Sequence, residues 1–180
     1  MKLSPELNIL LIRLKSMGDV LFTLPAVHLL REAFPRARIT FLVSVENAPL
    51  LEGFRDVDET IVLDRARLRG GNPVRIGAEM LGLLRRVRPG KFSLVVDFQG
   101  YGETAWLARL SRARERWACV HKTLRRWAYT HSLLWNKCVH PIDCYLSLLH
   151  QCGIGPRAVR NEFVLPVKAL QEARGFFAAH

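Results

Sequence analysis

Residues 7–20 read LNILLIRLKSMGDV, and this stretch decides the fold prediction. Residues 7–14 are almost continuously apolar, as is typical of a strand in a parallel sheet that is covered on both faces. A short loop with one glycine follows, and a helical pattern then covers residues 19–34, with Pro25 predicting an irregular turn or a kink. A buried strand that leads through a short loop into a helix predicts the first unit of a parallel α/β sheet.

The rest of the chain repeats this alternation of strand and helix patterns, which predicts an α/β fold: a Rossmann-like parallel sheet flanked by helices. Further strands are expected at residues 38–44, 59–63, 92–98, 116–119 and 162–165. Further helices are expected to begin at Asn72-Pro73, Glu103, Pro141 and Lys168. We assign residues 1–166 to one domain and residues 167–180 to the start of an interdomain helix or linker.

Composition bounds the class of protein and of partner. The 180 residues are about the length of one domain, and 49% of them are hydrophobic, which is enough to bury a core. Lysine and arginine number 27 against 16 aspartate and glutamate, so the formal net charge is +11. This charge predicts an acidic partner: a phosphate group, a nucleic acid or an anionic membrane face.

The sequence pattern predicts a cytoplasmic chain that is soluble or peripheral to a membrane. No apolar run approaches the roughly 20 residues of a spanning helix, and the start does not resemble a signal peptide. A helix-turn-helix, zinc-finger or RNP pattern is lacking, so no specific nucleic acid partner is expected. Without a Cys-x-x-Cys pair we expect no metal site and four free thiols: Cys119, Cys138, Cys144 and Cys152.

Two loops at the carboxyl ends of predicted strands form the candidate site, because open parallel sheets bind ligands at that edge. The first combines two cations, a hydroxyl, a glycine and a carboxylate: Arg13, Lys15, Ser16, Gly18 and Asp19. It has neither the G-x-G-x-x-G nor the P-loop pattern, which disfavours a nucleotide-phosphate cradle. The pattern leaves two interpretations of Asp19 open: the N-cap of the following helix, or a general base within reach of a substrate hydroxyl.

Three stretches resemble one known family. ILLIRLKSMGDV (9–20), continuing through TLPA (23–26), resembles the opening of glycosyltransferase family nine, the heptosyltransferases that build the lipopolysaccharide inner core. VVDFQG (95–100) is similar to that family's Asp-x-Gln-Gly loop, and HPIDCYL (140–146) is similar to a helix after its acceptor-side region. The three stretches occur in the family's order over most of the chain.

The resemblance implies the GT-B architecture, in which two Rossmann-like domains face each other across a cleft. The present residues resemble its N-terminal half, so we expect the C-terminal donor domain to be absent from them. The implied reaction transfers a heptose from a nucleotide sugar such as ADP-heptose to a lipid A-linked, phosphorylated glycan acceptor of the lipopolysaccharide core. It proceeds with inversion and without a metal or other cofactor.

The resemblance also implies a role for residues of both loops. Asp19 matches the carboxylate proposed as the general base. The acceptor-binding residues are expected to be Lys15, Ser16, Gly18, Gln99 and Gly100. Such an acceptor lies in the anionic inner membrane, whose surface is then a second expected partner of a basic chain. No particular oligomeric state is indicated.

Two alternatives stay open. In the first, the chain is a non-catalytic α/β module that binds an anionic ligand, and Asp19 only caps its helix. Residues 122–137, with Arg125 and Arg126 beside Trp127, fit either a membrane interface or a helix whose tryptophans cover the core.

Overall fold

The computed structural model describes residues 7–65, 73–155, 163–165 and 167–178. Its centre is a six-stranded sheet whose neighbouring strands all run parallel. The strands are β1 (Asn8–Ile12), β2 (Arg38–Ser44), β3 (Glu59–Leu63), β4 (Leu94–Asp97), β5 (Glu115–Val120) and β6 (His131–Leu134). The predicted fold class, an α/β fold with a Rossmann-like parallel sheet, is confirmed.

The strand order places a crevice at one edge of the sheet. The order is β3-β2-β1-β4-β5-β6, so the chain first winds outward from β1 in one direction and then in the other. Ile12, the last residue of β1, lies opposite Leu42 of β2 and Asp97 of β4. The loops that leave β1 and β4 diverge at this carboxyl edge, and ligands bind between such loops in folds of this kind.

Helices cover both faces of the sheet. They are α1 (Met17–Leu21), α2 (Leu24–Ala33), α3 (Pro73–Val87), α4 (Gly102–Leu110) and α5 (Pro141–Gln151). A further helix, α6 (Val167–Ala178), buries none of its described residues and contributes to neither layer. Residues of α1, α2 and α5 share a buried cluster with Ile9 and Leu11, whereas residues of α3 and α4 share one with Leu10 and Ile12. Alternate residues of β1 therefore pack into opposite layers, which explains why this strand is apolar without interruption.

The predicted helix at residues 19–34 is two helices. Pro25 lies in the first turn of α2, where its missing amide hydrogen removes no helical hydrogen bond, so α1 ends before it. Helix α1 begins at Met17 with Ser16 as its N-cap, and Asp19 is its third residue. The interpretation of Asp19 as the N-cap itself is wrong, because the helix starts three residues earlier; Asp19 instead caps as the third helical residue, where its side chain accepts the Ser16 amide.

The segment 122–137 is a short 3-10 helix, Thr123–Ala128, followed by β6. Of the two interpretations of this segment, the helix whose tryptophans cover the core is wrong, since β6 pairs with β5 from His131 opposite Trp117 onward and Trp127 is exposed. An edge strand of four residues is too short for its alternation to be distinguished from a helical pattern in the sequence.

The last described residues differ in part from the prediction. Phe163 forms an isolated antiparallel bridge with Phe54 instead of joining the sheet, whereas α6 occupies the region in which a helix was expected. Residue 162 and the predicted helix cap Asn72 lie outside the described residues. Of the helices that the structure describes, none combines the length and apolarity needed to cross a membrane.

Candidate functional site

Hydrogen bonds join the loops after β1 and β4 into one site. The Gln99 side-chain oxygen accepts the backbone amides of Leu14 and Lys15 at 3.1 and 3.3 Å. The Arg13 guanidinium donates in the other direction, to the Phe98 carbonyl at 2.6 Å. Arg13 and Gln99 are buried, so water competes little for these bonds. The two separately predicted loops are thus the walls of a single crevice.

A buried carboxylate, Asp97, shapes the second wall. It accepts the backbone amides of Gln99 and Gly100 at 2.8 and 2.9 Å and the Tyr129 hydroxyl at 2.6 Å. Burial raises the pKa of Asp97, and the hydrogen bonds offset only part of that rise. Because its side chain is 0% exposed, Asp97 positions the loop and does not reach the crevice.

Gly100 allows the loop to pack closely against β5. Its φ of +61° lies in the left-handed region, and a Cβ on it would lie 1.9 Å from the Cys119 carbonyl oxygen. Its own carbonyl accepts the Arg125 guanidinium at 2.8 Å. Gly100 therefore links the crevice to the 3-10 helix Thr123–Ala128, and only a glycine satisfies both the conformation and the space.

Asp19 lies on the first wall as a partly exposed, ion-paired carboxylate. Its Oδ2 accepts the Ser16 amide at 3.1 Å and the Ser16 hydroxyl at 3.3 Å, and it forms an ion pair with Arg13. Partial burial by itself raises the pKa of Asp19, but the Arg13 charge and the bonds from Ser16 outweigh it, so the pKa lies below its usual value. The side chain is 32% exposed, against 7% for Arg13, so an ionised carboxylate faces solvent over a buried cation.

The rim beside this carboxylate is open. Ser16 and Gly18 are exposed. No atom lies within 4 Å of an ideal Cβ on Gly18, and its φ is outside the left-handed region. Neither backbone conformation nor packing among the described residues requires a glycine here, in contrast to Gly100.

Two cations share one aromatic ring across the crevice. The Lys15 ammonium lies 5.1 Å from the centre of the Tyr101 ring, and the Arg125 guanidinium carbon lies 5.4 Å from it. Cation–π attraction holds both side chains near the ring. The first-wall cation and the second-wall loop are thereby brought to the same point.

His121, which sequence reasoning missed, continues this aromatic row. Its ring centre lies 5.1 Å from that of Tyr101 and 5.2 Å from that of Trp135. Burial lowers the pKa of His121, and the charges of Arg13 and Arg125 lower it further, which favours the neutral ring. His121 directly follows β5, and applying the carboxyl-edge rule to the fifth strand would have identified it.

The cysteines and His140 all lie within the described residues and do not form a metal site. The four cysteines are free thiols, and Cys138 alone among them is exposed. His140 is the N-cap of α5, as expected of a helix-start residue, and accepts the Ile142 amide at 3.3 Å. Among residues 7–65, 73–155, 163–165 and 167–178, no group of three or more His, Cys, Asp or Glu is arranged to hold a metal.

A second cleft, with a volume of about 450 Å³, lies at the amino edge of the sheet. Its arginines are already engaged: Arg38 forms an ion pair with Glu59, and Arg86 donates to the Val62 carbonyl at 2.8 Å. The loops where strand order reverses are at the other edge, so we place the candidate site there.

The same fold occurs in solved glycosyltransferases. A family 9 glycosyltransferase from Veillonella parvula is 22% identical with a TM-score of 0.79, over 96% of this chain and 49% of that one. The E. coli heptosyltransferase WaaC, solved with ADP-2-deoxy-2-fluoro heptose, is 22% identical with a TM-score of 0.72, over 86% and 51%. E. coli ADP-heptose lipopolysaccharide heptosyltransferase II is 15% identical with a TM-score of 0.74, over 96% and 51%.

At 15–22% identity, these structures show that the chain shares their fold. The chain spans about half the length of each of them. No family model matches the sequence, and no curated protein matches it. The resemblance to glycosyltransferase family nine, stated on three sequence stretches, is confirmed at the level of the fold.

Proposed function

We propose that this chain is the acceptor-binding half of a GT-B glycosyltransferase of the heptosyltransferase type. The observation that carries the proposal is the Asp19 carboxylate, held ionised by Arg13 and partly exposed in the crevice between β1 and β4. The likeness in fold to heptosyltransferases, which extends over most of the chain, supports it.

In the proposed reaction, Asp19 is the general base. Its carboxylate takes the proton of an acceptor hydroxyl while that oxygen attacks the anomeric carbon of a nucleotide-linked heptose. The bond from the anomeric carbon to the diphosphate breaks as the new one forms, so the configuration inverts and the nucleotide diphosphate leaves. The donor, ADP-heptose or a related nucleotide sugar, is bound mainly by a domain outside these residues, and no metal or other cofactor is invoked.

Arg13 and Ser16 set the state of this base. Their contacts go to Asp19 Oδ2, which among the described residues leaves Oδ1 for the acceptor proton. A lowered pKa makes the carboxylate a weaker base but keeps it ionised at neutral pH, and general-base catalysis requires the ionised form.

The acceptor is proposed to be a lipid A-linked, phosphorylated glycan of the lipopolysaccharide core. Lys15 meets its phosphate or carboxylate groups, Ser16 offers a hydroxyl, and Gly18 leaves room for a sugar ring beside Asp19. Gln99 and Gly100 are buried, so they serve acceptor binding indirectly: Gln99 holds the loop that carries Lys15, and Gly100 holds Arg125 at the Tyr101 ring. The chain acts in the cytoplasm, peripheral to the inner face of the inner membrane.

Asp19→Asn tests the catalytic role in an enzyme that joins this chain to a donor domain. The amide keeps the shape and loses the charge, so turnover is expected to fall about 100- to 10,000-fold while the acceptor still binds. Release of ADP from ADP-heptose measures turnover, and titration of a deacylated acceptor measures binding.

A matched control is Asp58→Asn. Asp58 also pairs with an arginine, Arg31, and lies just before the amino end of β3, away from the crevice. Turnover of this variant is expected within about twofold of the unchanged enzyme. Unchanged turnover in Asp19→Asn would leave a non-catalytic module for an anionic ligand as the better interpretation.

A further inference from the structure

Three large apolar side chains form an exposed surface on the outer side of α4, here called the tryptophan surface. Trp106 of α4 is 55% exposed, Trp127 is 49% exposed and Leu124 is 84% exposed. The two indole rings meet edge to face with centres 4.7 Å apart. Leu124 lies on the Trp127 side of the 3-10 helix because residues three apart eclipse in that helix. The core-facing side of α4 is occupied by other residues, Ala105, Leu107 and Ala108.

Exposed basic side chains lie near the tryptophan surface. Arg109 follows Trp106 by one helical turn. Lys122 and Arg126 lie two residues before and after Leu124 in the chain, and the Arg126 Nε also donates to the Ser132 hydroxyl at 3.0 Å. Residues 102–137 contain eight lysines and arginines and two glutamates. One of the two glutamates, Glu115, accepts the Thr130 hydroxyl at 2.9 Å, and its Oε2 lies 3.5 Å from Nδ1 of His131. The other, Glu103, is exposed one helical turn before Trp106. The charge near the indoles is positive because three exposed cations, Arg109, Lys122 and Arg126, outnumber this glutamate.

Indole rings next to arginine and lysine match the interface of an anionic bilayer. Tryptophan favours the headgroup level, where its ring is apolar and its N–H stays hydrated. Each nearby cation adds attraction to anionic headgroups. A purely apolar protein partner would bury these cations without compensation, which is costly.

The tryptophan surface is connected to the candidate site. Arg125, which lies between Leu124 and Trp127 in the 3-10 helix, turns inward, donates to the Gly100 carbonyl and lies over the Tyr101 ring. The last residues described before α6, by contrast, meet Phe54 in the layer of α2 and α5, on the opposite face of the sheet. A bilayer on the tryptophan surface would therefore lie beside the crevice.

We propose that Trp106, Trp127 and Leu124 dock on the headgroup region of an anionic phospholipid bilayer. Arg109, Lys122 and Arg126 contact the headgroup phosphates around them. The inference rests on the proposed function in one respect: docking would bring the crevice to a lipid-linked acceptor. The surface chemistry that carries it is independent of Asp19.

Binding to vesicles tests the proposal without donor or acceptor glycan. The 180-residue chain is sedimented with vesicles of phosphatidylethanolamine and phosphatidylglycerol, and separately with vesicles of phosphatidylcholine. We expect binding to the anionic vesicles, weakened by added salt, with a blue shift of tryptophan emission. The double variant Trp106→Ser, Trp127→Ser is expected to lose at least about tenfold in partition coefficient. The charge variant Arg109→Glu, Arg126→Glu is expected to lose about as much.

Two matched variants distinguish binding through this surface from nonspecific binding by any exposed aromatic or basic side chain. Phe177→Ser removes a 78% exposed aromatic of α6, and Arg36→Glu reverses an exposed cation on the other layer; both are expected to bind within about twofold of the unchanged chain. Unchanged thermal unfolding shows that each variant is folded. Leu124→Ser, at the most exposed position, tests the surface if the double tryptophan variant does not fold.

Several results would overturn the proposal. They are equal binding to both vesicle types, no binding to either, undiminished binding by the tryptophan variant, or equal losses in the matched variants. Self-association that the tryptophan variant abolishes, without vesicle binding, would assign the surface to a second copy of the chain. Asp19→Asn is expected to bind vesicles normally, so failure of docking and failure of catalysis are told apart.

Discussion

Replacing Gly100 by alanine is expected to destabilise the chain severely, whereas the same change at Gly18 is not. At Gly100 the alanine must adopt a φ of +61°, which costs about 1–2 kcal/mol. Its Cβ would also lie 1.9 Å from the Cys119 carbonyl oxygen, so the backbone must move to restore a normal contact. Overpacking of this kind costs about 1–3 kcal/mol, so the expected loss is about 2–5 kcal/mol.

That loss is a large part of the roughly 5–15 kcal/mol by which a domain of this size is stable. It corresponds to a fall in the thermal midpoint of about 5–20 °C, which calorimetry or circular dichroism measures. Gly18 lies in the first turn of α1 with open space around it, so alanine there is expected to be neutral or to stabilise by up to about 1 kcal/mol. A loss below about 1 kcal/mol at Gly100, or equal losses at both positions, would refute the geometric reasoning.

Two further outcomes are expected from the carboxylates of the site. Tyr129→Phe removes a hydrogen bond to buried Asp97 and should lower the free energy of unfolding by about 1–3 kcal/mol in urea titration, and no loss would contradict the positioning role of Asp97. The pKa of Asp19 is lowered in the folded state, so its ionised form stabilises the fold above the unfolded value near 3.8, and this contribution disappears as pH falls through the folded value. The stability difference between the unchanged chain and Asp19→Asn should therefore shrink from about pH 6 to about pH 3, and a constant difference would contradict the ion pair with Arg13.

Much of the fold follows from the sequence because burial on both faces leaves a strong signal. β2 and β3 have the predicted bounds, and β1 lies within the predicted run. β6 was missed for the complementary reason: it is a four-residue edge strand with exposed ends, so no continuous apolar run marks it. Where packing is one-sided, local pattern no longer distinguishes strand from helix.

The two loops of the candidate site were predicted from the sequence, but the hydrogen bonds that join them were not. The rule that ligands bind at carboxyl ends of parallel strands gave both loops, since it needs only the strand order around β1. The bonds that join them span more than 80 residues, as from Gln99 to Leu14, and no local pattern encodes such a pairing. The start of α1 was missed because Ser16 and Asp19 are both good capping residues three positions apart, and the sequence did not show that Ser16 is the N-cap and Asp19 its partner in the first turn.

The cations of the chain lie in environments that differ in burial and therefore in dielectric screening. Arg13 is buried, so its attraction to Asp19 acts in a low dielectric and is little affected by salt. Lys15 and Arg125 gather around Tyr101, where an arriving phosphate would meet both. Arg109 and Arg126 face solvent, where salt screens them beyond about 10 Å and only the summed field attracts a partner. The net charge of the chain predicts an acidic partner but does not distinguish these three groups of cations. Burial separates them: the inner cation sets the protonation of the proposed base, whereas the outer ones bear on where the chain binds.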